Sequence, residues 1–167
     1  MPPSMQPTFT IADLHASPQR APLLALNNAS ARETSLLTFE RFNELINAAR
    51  VALFVPPANG LLLAFENTDH YDGRHFLWFC RRLSRFLYID RIVIDAQCRR
   101  RGLARLLYNE VFIQARSLGL SQITCEVNID PPNPTSDQFH EALGFREVGR
   151  ATLDDGAKTV RYLVADL

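Results

Sequence analysis

The sequence has no excess of charge of either sign, and this limits the classes of macromolecule that the protein is expected to bind. Its 167 residues include 18 lysine and arginine and 18 aspartate and glutamate side chains, so the formal net charge at pH 7 is zero. A protein dedicated to nucleic acid is usually basic overall. The balance therefore argues against nucleic acid as a partner and makes any arginine cluster a local feature.

Cysteine and long apolar runs are also scarce. Cys80, Cys98 and Cys125 are an odd number and lie far apart, so they indicate no disulfide framework. No apolar run approaches the roughly 20 residues that span a bilayer. The N-terminus lacks the basic and apolar stretches of a secretory signal. We therefore expect a cytoplasmic protein with no membrane partner.

A metal site is not indicated either. His70, His75 and Cys80 are the residues that invite such an interpretation, but their spacing matches no pattern typical of zinc. Loop and core positions explain them better. We therefore expect a protein without a metal cofactor.

What remains is an ordinary globular composition, with 47% hydrophobic and 22% charged residues. The length suits one domain with one core. Three prolines lie within the first eight residues, and we expect residues 1–8 to be a loose tail. We expect residues 9–167 to form a single domain.

The most informative stretch is Tyr88–Tyr108, with the sequence YIDRIVIDAQCRRRGLARLLY. It begins as a β-branched apolar run, continues through an arginine-rich loop and opens into an amphipathic helix at Gly102. The first turn of a helix has backbone N–H groups without intrahelical acceptors, and the helix dipole adds positive charge there. Glycine lets a ligand approach the backbone closely. The pattern predicts a phosphate site, with positive charge from Arg99, Arg100, Arg101 and Arg105.

Periodicity and turn residues predict the element order β, α, α, β, β, β, α, β, α, β, β, which fits a mixed α/β sheet. Before the central stretch we expect a strand at 9–14, a helix from Ser17-Pro18 to about Asn27, a helix capped by Thr38, and strands at 51–55 and 61–66. Residues 76–83 are either a short helix or an irregular loop. After the stretch we expect a helix ending near Gly119, a strand at 122–128, a helix at 136–143, and a hairpin of 145–153 with 158–164 around Asp154-Asp155-Gly156.

Two spacings resemble those of the GNAT superfamily, the GCN5-related N-acetyltransferases. Arg99-x-x-Gly102-x-Ala104 resembles the Q/R-x-x-G-x-G/A signature of the loop that holds the pyrophosphate of acetyl-CoA. A second family pattern, N-x-x-A-x-x-x-Y-x-x-x-G-F, is matched in spacing by Asn133, Ser136, His140 and Gly144-Phe145. Ser136 stands where a small residue such as alanine is usual in the family, and His140 stands where the tyrosine is usual.

The resemblance covers nearly the whole chain and implies a fold and an activity. The fold is α/β, of the α+β mixed-sheet kind: a single GNAT domain with a central, mostly antiparallel sheet that is splayed at the acetyl-CoA site and flanked by helices. The activity is N-acetyltransferase, moving an acetyl group from acetyl-CoA to a primary amine by direct attack in a ternary complex. The implied acetyl-CoA residues are Ile92, Val93, Ile94, Arg99, Arg100, Arg101, Gly102, Leu103, Ala104, Arg105, Asn133, Ser136 and His140.

Within that set, the resemblance also suggests individual roles. The strand Ile92-Val93-Ile94 would pair with pantetheine, and a backbone N–H of Val93 or Ile94 would stabilise the oxyanion. Asn133 would bond a pantetheine amide or a nearby backbone group; alternatively, it is a turn residue among prolines. His140 is the candidate acid for the CoA thiolate, or else a helix-surface residue.

Two carboxylates are candidates for the catalytic base. Glu126 is the first choice, because some relatives that acetylate protein N-termini use a glutamate at a similar position before the asparagine. Two extra residues separate it from Asn133 here. Asp90 is the rival, since alternation places it on the same strand face as Tyr88 among apolar neighbours. Its alternative role is an ion pair with Arg91 or another arginine.

The acceptor is expected to lie against the second helix and the loop 67–75, where aromatic residues and Asp69 or Asp72 would receive a cationic amine. A small amine, an amino-acid-like metabolite and a protein amine all remain open. Trp78 and its neighbours are either core or the surface of a homodimer. Two other functions also remain: a catalytically silent acyl-CoA sensor and, with least support, nucleic-acid binding through the arginines.

Overall fold

The computed structural model describes residues 8–30, 34–153 and 156–167. The helices are α1 Arg20–Ala29, α2 Phe39–Ala48, α3 Arg74–Cys80, α4 Leu103–Ser117 and α5 Pro134–Ala142. The strands are β1 Ala12–Asp13, β2 Val51–Val55, β3 Gly60–Glu66, β4 Phe86–Ile94, β5 Gln122–Asn128, β6 Arg146–Leu153 and β7 Lys158–Asp166. The tail expected at residues 1–8, apart from its last residue, and the Asp154-Asp155 part of the hairpin turn lie outside the described residues.

Seven strands form one sheet in the order β1-β2-β3-β4-β5-β7-β6. β4 and β5 are parallel, whereas β1 with β2, β5 with β7 and β6 with β7 are antiparallel. The helix α4 connects the parallel pair, which needs a crossover of this length. The mixed, mostly antiparallel sheet is confirmed, and the predicted element order holds except for α3, which that order did not include.

By internal contacts, the chain divides into two compact units. The described parts of Met1–Leu63 and Arg91–Glu110 form the first unit, and Ala64–Asp90 with Val111–Leu167 form the second. β3, β4 and α4 each begin in one unit and end in the other. The prediction of a single domain over residues 9–167 stays a prediction.

In the first unit, local signals explain the two helices. Thr38 caps α2 as predicted, since its hydroxyl accepts a hydrogen bond from the Arg41 N–H at 3.2 Å. The apolar face of α2, which includes Phe42, Leu45 and Ile46, is buried. The start predicted for α1 at Ser17-Pro18 was wrong, because Ser17 instead accepts from the Gln19 N–H at 3.0 Å and closes a turn before the helix.

In the second unit, the segment between β3 and β4 forms α3, so the helical alternative for this segment was right and the helix begins at Arg74. Phe76 and Phe79 on α3 are buried and pack against Tyr88 on β4, with ring centroids 5.8 and 5.9 Å apart. Trp78 stacks on Tyr162 of β7 with centroids 4.0 Å apart. This aromatic cluster forms the core on one face of the β4, β5 and β7 strands.

The helix α4 is amphipathic, as predicted, and most of the apolar side chains along one side of it are buried. Leu103, Leu107, Val111 and Ala115 are buried, but Leu106 is 36% exposed. A spacing of four residues keeps the first set on one side of the helix, and Leu106 lies off that line. None of the helices within the described residues is long and apolar enough to cross a membrane.

Candidate active site

The arginine-rich stretch forms the predicted strand, loop and helix. β4 ends at Ile94, and the Asp95 N–H donates to the Asn59 carbonyl at 2.8 Å, which ties the strand end to the β2–β3 turn. The Asp95 carboxylate then caps a short 3₁₀ turn by accepting from the Gln97 N–H at 2.9 Å. These bonds set the direction in which the chain enters the loop before α4.

The backbone at the start of α4 has the geometry of an anion site. Gly102 has φ +78° and Arg100 has φ 62°, both in the left-handed region that glycine adopts most readily. The Gly102 carbonyl accepts from the Leu106 N–H at 3.0 Å, so the N–H groups of the first helical turn have no intrahelical acceptor. A Cβ built on Gly102 would meet no atom of the described protein within 4 Å. The conformation, rather than contact with the protein, therefore requires glycine at this position.

The side chains of this loop differ in burial: one is buried in the core, and the arginines are exposed. Leu103 is buried and fixes the first turn of α4 in the core, and Ala104 is half-buried. The four arginines expected to attract phosphate are all exposed: Arg99, Arg100, Arg101 and Arg105. The helix start, its dipole and these guanidinium groups together favour a phosphate or diphosphate.

The strand before the loop alternates in burial. Val93 is buried, whereas Ile92 and Ile94 are half-buried. Arg91 is also buried, and its Nη1 donates to Asn27 Oδ1 at 3.0 Å in the interior of the first unit. Asp90 is hydrogen-bonded to Tyr71, whose hydroxyl donates to Asp90 Oδ1 at 2.5 Å.

Asp90 and Glu126 are brought together where the parallel pairing ends. β4 and β5 pair from Phe86↔Gln122 to Tyr88↔Thr124. Asp90 and Glu126 each lie two residues beyond the last paired position, and they are close enough for the charge of Asp90 to act on Glu126. The Tyr88 hydroxyl donates to Glu126 Oε2 at 2.7 Å. The two candidate bases therefore form one cluster in the second unit, each with a tyrosine as donor.

This environment changes the acidity of Glu126. The pKa of Glu126 is raised to about 8, mainly by burial and also by the nearby Asp90 charge, while the Tyr88 hydrogen bond and Lys158 act in the opposite direction. Burial and the Glu126 charge raise the pKa of Tyr88 well above its ordinary value. Glu126 is thus mainly protonated at neutral pH and becomes a base as the pH passes about 8.

A second hydrogen-bonded pair, Tyr162 on β7 and His75 on α3, lies next to the two carboxylates. Tyr162 lies opposite Glu126 in the β5–β7 register, and its hydroxyl is hydrogen-bonded to His75 Nδ1 at 3.0 Å. Burial and the charge of Arg74 lower the pKa of His75 to about 4. His75 is therefore a neutral partner that holds Tyr162 beside Glu126.

The second family pattern forms the start of α5. Asn133 caps the helix, since its Oδ1 accepts from the Ser136 N–H at 3.1 Å. His140 is buried between Phe139 and Phe145, with both ring centroids 5.3 Å away, and its Nδ1 donates to the Ser136 carbonyl at 2.8 Å. Burial lowers the His140 pKa. The ring is therefore a neutral imidazole at neutral pH, and Nε2 is the atom that would carry a second proton.

Sequence reasoning missed the tyrosines of the cluster. The alternation of Tyr88 with Asp90 along β4 was a visible signal for the first of them. Tyr71 lies in a polar loop, where no local pattern indicated its contact with Asp90. Asp69, expected near a cationic amine, accepts from the Glu66 N–H at 2.8 Å and shapes the same loop. No group of three or more potential metal ligands occurs among the described residues.

Comparison with solved structures finds close matches in fold. Ard1 from Thermoplasma volcanium matches with a TM-score of 0.74 at 15% identity, over 95% of this chain and 97% of that one. A chain of the NatC complex bound to Gag peptide and CoA gives 0.72 at 16% identity, over 96% and 98%. A spermidine N-acetyltransferase SpeG chimera from Vibrio cholerae and hSSAT gives 0.66 at 21% identity, over 96% of each chain.

Of the two sequence comparisons, one gives no match and the other identifies a family. A search of curated protein sequences gives no match. The model of the acetyltransferase (GNAT) family matches residues 31–145, which include the arginine-rich loop, Glu126 and the whole of α5. The strand, loop and helix geometry and the match to solved acetyltransferases agree with that result, and we conclude that the chain belongs to the GNAT acetyltransferase family.

Proposed function

We propose that this protein is an N-acetyltransferase that moves the acetyl group of acetyl-CoA to a primary amine by direct attack in a ternary complex. The observation that carries the proposal is the carboxylate pair at the end of the β4–β5 pairing. Glu126 is held by Tyr88 at 2.7 Å, and its pKa of about 8 suits a base that works close to neutral pH. A protein that only binds acyl-CoA has no need of such a group.

Acetyl-CoA is the donor that the loop before α4 supports. The exposed arginines and the first-turn N–H groups would hold its diphosphate, and Gly102 keeps the approach to the backbone open. The pantetheine arm would lie along Ile92, Val93 and Ile94. A backbone N–H of Val93 or Ile94 is the proposed donor to the oxyanion. In the second unit, Asn133, which caps α5, and Ser136 are proposed contacts of acetyl-CoA on the strength of the family pattern.

The acceptor ammonium loses two protons in the reaction: one before attack, and a second from the nitrogen of the tetrahedral intermediate, which passes to solvent. An alkyl ammonium has a pKa of about 10.4 and no lone pair, so it must be deprotonated before attack. Glu126 takes that proton, and the amine nitrogen bonds to the thioester carbon. Negative charge develops on the acetyl oxygen. The tetrahedral intermediate then breaks its C–S bond and releases the CoA thiolate.

The departing thiolate needs less help than the amine. A thiol with a pKa of about 8.5 is a good leaving group, so a single weak donor suffices. His140 is the proposed donor, acting through Nε2, because Nδ1 is bonded to the Ser136 carbonyl. The low pKa of its buried ring means that this donor assists the step modestly.

The acceptor is either a small amine, including amino-acid-like metabolites, or an amine of a protein. The fold neighbours include a complex with a peptide and a spermidine N-acetyltransferase, so both classes occur on this fold. The decisive test is a screen for thiol release from acetyl-CoA with amines, polyamines, amino acids and peptides. We expect release with at least one class and a rate that rises with pH through about 8.

Glu126→Gln is the matched variant for that screen, because glutamine keeps the shape and cannot take the proton. We expect its turnover to fall by about 100-fold or more, with acetyl-CoA affinity unchanged in calorimetry. Tight CoA binding with no thiol release for any acceptor would instead identify the protein as an acyl-CoA sensor. Wild-type turnover in Glu126→Gln would rule out Glu126 as the base.

A further inference from the structure

Tyr71 occupies a well-defined place beside the carboxylate pair. Its ring stacks on Phe65 with centroids 4.0 Å apart and planes 11° from parallel. Its hydroxyl donates to Asp90 Oδ1. The loop that carries it is anchored to the strands, since the Asn67 N–H donates to the Phe86 carbonyl at 3.1 Å. Tyr71 is therefore held by both its ring and its hydroxyl.

The glycine two residues later is explained by the same ring. Gly73 has φ −59°, which any residue adopts, so its backbone conformation does not require glycine. A Cβ at Gly73 would lie 2.6 Å from Cε1, Cζ and Oη of Tyr71, which is closer than real contacts allow. Gly73 thus leaves the space in which the end of the Tyr71 side chain reaches Asp90.

We propose that Tyr71 is a positioning residue for acyl transfer: its hydroxyl holds the Asp90 carboxylate in the cluster with Glu126, and its side chain occupies the space that Gly73 leaves open. The proposal rests on the proposed function, because it gives Tyr71 a part in preparing the base. Tyr71 acts through Asp90 and does not itself exchange a proton with the acceptor. Tyr71 lies in the loop between β3 and α3, outside the arginine-rich loop proposed to bind acetyl-CoA.

The groups around the carboxylate pair define what Tyr71 can influence. Tyr88 on β4 bonds Glu126, and Tyr162 and Lys158 on β7 act on it electrostatically. Two residues of α3 also act on the cluster: His75 interacts electrostatically with Asp90, and Arg74 interacts electrostatically with Tyr162. The Asp90 charge raises the pKa of Glu126. Fixing the position of that charge therefore fixes its effect on the base.

Tyr71→Phe is the direct test, because it removes the hydroxyl and keeps the ring on Phe65. We expect kcat to fall about tenfold while KM stays within about twofold, since a hydrogen bond to a charged group is lost away from substrate binding. In an Asp90→Asn background the same substitution should change kcat by less than about twofold. Unchanged kcat in the single variant, or an equal loss in both backgrounds, would overturn the proposal.

Gly73→Ala provides a second variant that retains every polar group. Its Cβ would push the Tyr71 ring aside, so we expect the same selective fall in kcat, again dependent on Asp90. Tyr108→Phe is the matched control, as it removes the hydroxyl of another buried tyrosine, on α4. We expect wild-type kcat from the control. A similar loss in Tyr108→Phe would show that hydroxyl deletion is harmful in general and would remove the case for Tyr71.

A measurement that needs no catalytic turnover tests the role of Tyr71 independently of the proposed acetyltransferase activity. The titration of Glu126 can be followed by NMR in protein labelled with ¹³C-carboxyl glutamate, with its signal assigned by its loss in Glu126→Gln. We expect Tyr71→Phe to move the midpoint by about half a pH unit, and to move it much less in the Asp90→Asn background. An unmoved midpoint refutes the inference. A moved midpoint in a protein that acetylates no acceptor supports it and refutes only the proposed function.

Discussion

At the scale of single residues, the site depends on pairs of side chains that modify each other. Glu126 is kept mainly protonated near pH 7 by burial and by the charge of Asp90, and Tyr88 donates to it. His140 is kept neutral by burial, with its one N–H bonded to a carbonyl. The chemistry of each residue is therefore a property of its surroundings more than of its type.

The His140 assignment is tested by His140→Phe, in which the ring keeps its packing between Phe139 and Phe145. We expect turnover to fall about fivefold, because only a small fraction of imidazole carries the second proton, while acetyl-CoA affinity is nearly unchanged. Steady-state kinetics and calorimetry on the same sample give both values. Turnover equal to that of the parent protein would remove the acid role and leave His140 as a core residue.

At the scale of elements, the loop before α4 is the feature that local sequence determines most completely. The arginines, the glycine and the apolar stripe of the helix are contiguous, so no distant contact is needed to place them. Gly102 is the critical residue, since φ +78° favours glycine and the space beside it holds no described protein atom within 4 Å.

Gly102→Glu should abolish detectable acetyl-CoA binding in calorimetry, because it adds both a side chain and a negative charge at the proposed diphosphate site. Gly119→Glu is the matched control: Gly119 also has positive φ, at the end of α4, and so carries a similar backbone cost. We expect the control to lose stability but to bind acetyl-CoA normally. Equal affinity of Gly102→Glu and the parent protein would exclude this loop as the donor site.

At the scale of the whole molecule, the raised pKa of Glu126 is also a statement about stability. The unfolded chain releases this proton near pH 4.5 and the folded protein near 8. Between these values the folded state binds more protons, so rising pH destabilises it, and the penalty is complete above about 8. A buried acid with a raised pKa thus lowers the stability of the fold at alkaline pH.

Glu126→Gln should therefore be more stable than the parent protein at pH 8.5, by roughly 2 to 4 kcal/mol. At pH 4 the two should differ little, because Glu126 is then protonated in the folded state and largely so in the unfolded state. Urea denaturation at both pH values measures the difference. Glu141→Gln, at an exposed position on α5, is the control and should be neutral. A gain of the same size at both pH values would contradict the raised pKa.

Much of the fold could be predicted from the sequence, because its signals are local. The element order, the Thr38 cap and the start of α4 follow from spacing and turn residues that lie within a few positions of each other. The predicted start of α1 was wrong because a serine before a proline caps a turn as readily as a helix. The surroundings of the candidate base could not be predicted, since its partners lie 36 and 38 positions earlier in the chain.

By itself, the sequence determined which residues are candidates for the chemistry: the glycine and arginines of the loop, and the two acids on period-two strands. The tertiary structure decided how they are combined. The parallel pairing of β4 with β5 ends two residues before Asp90 and Glu126 and brings the two acids into one cluster, and the loop after β3 supplies Tyr71. The physical reason is that hydrophobic periodicity specifies the face on which a residue lies, whereas strand register and distant contacts specify its neighbours.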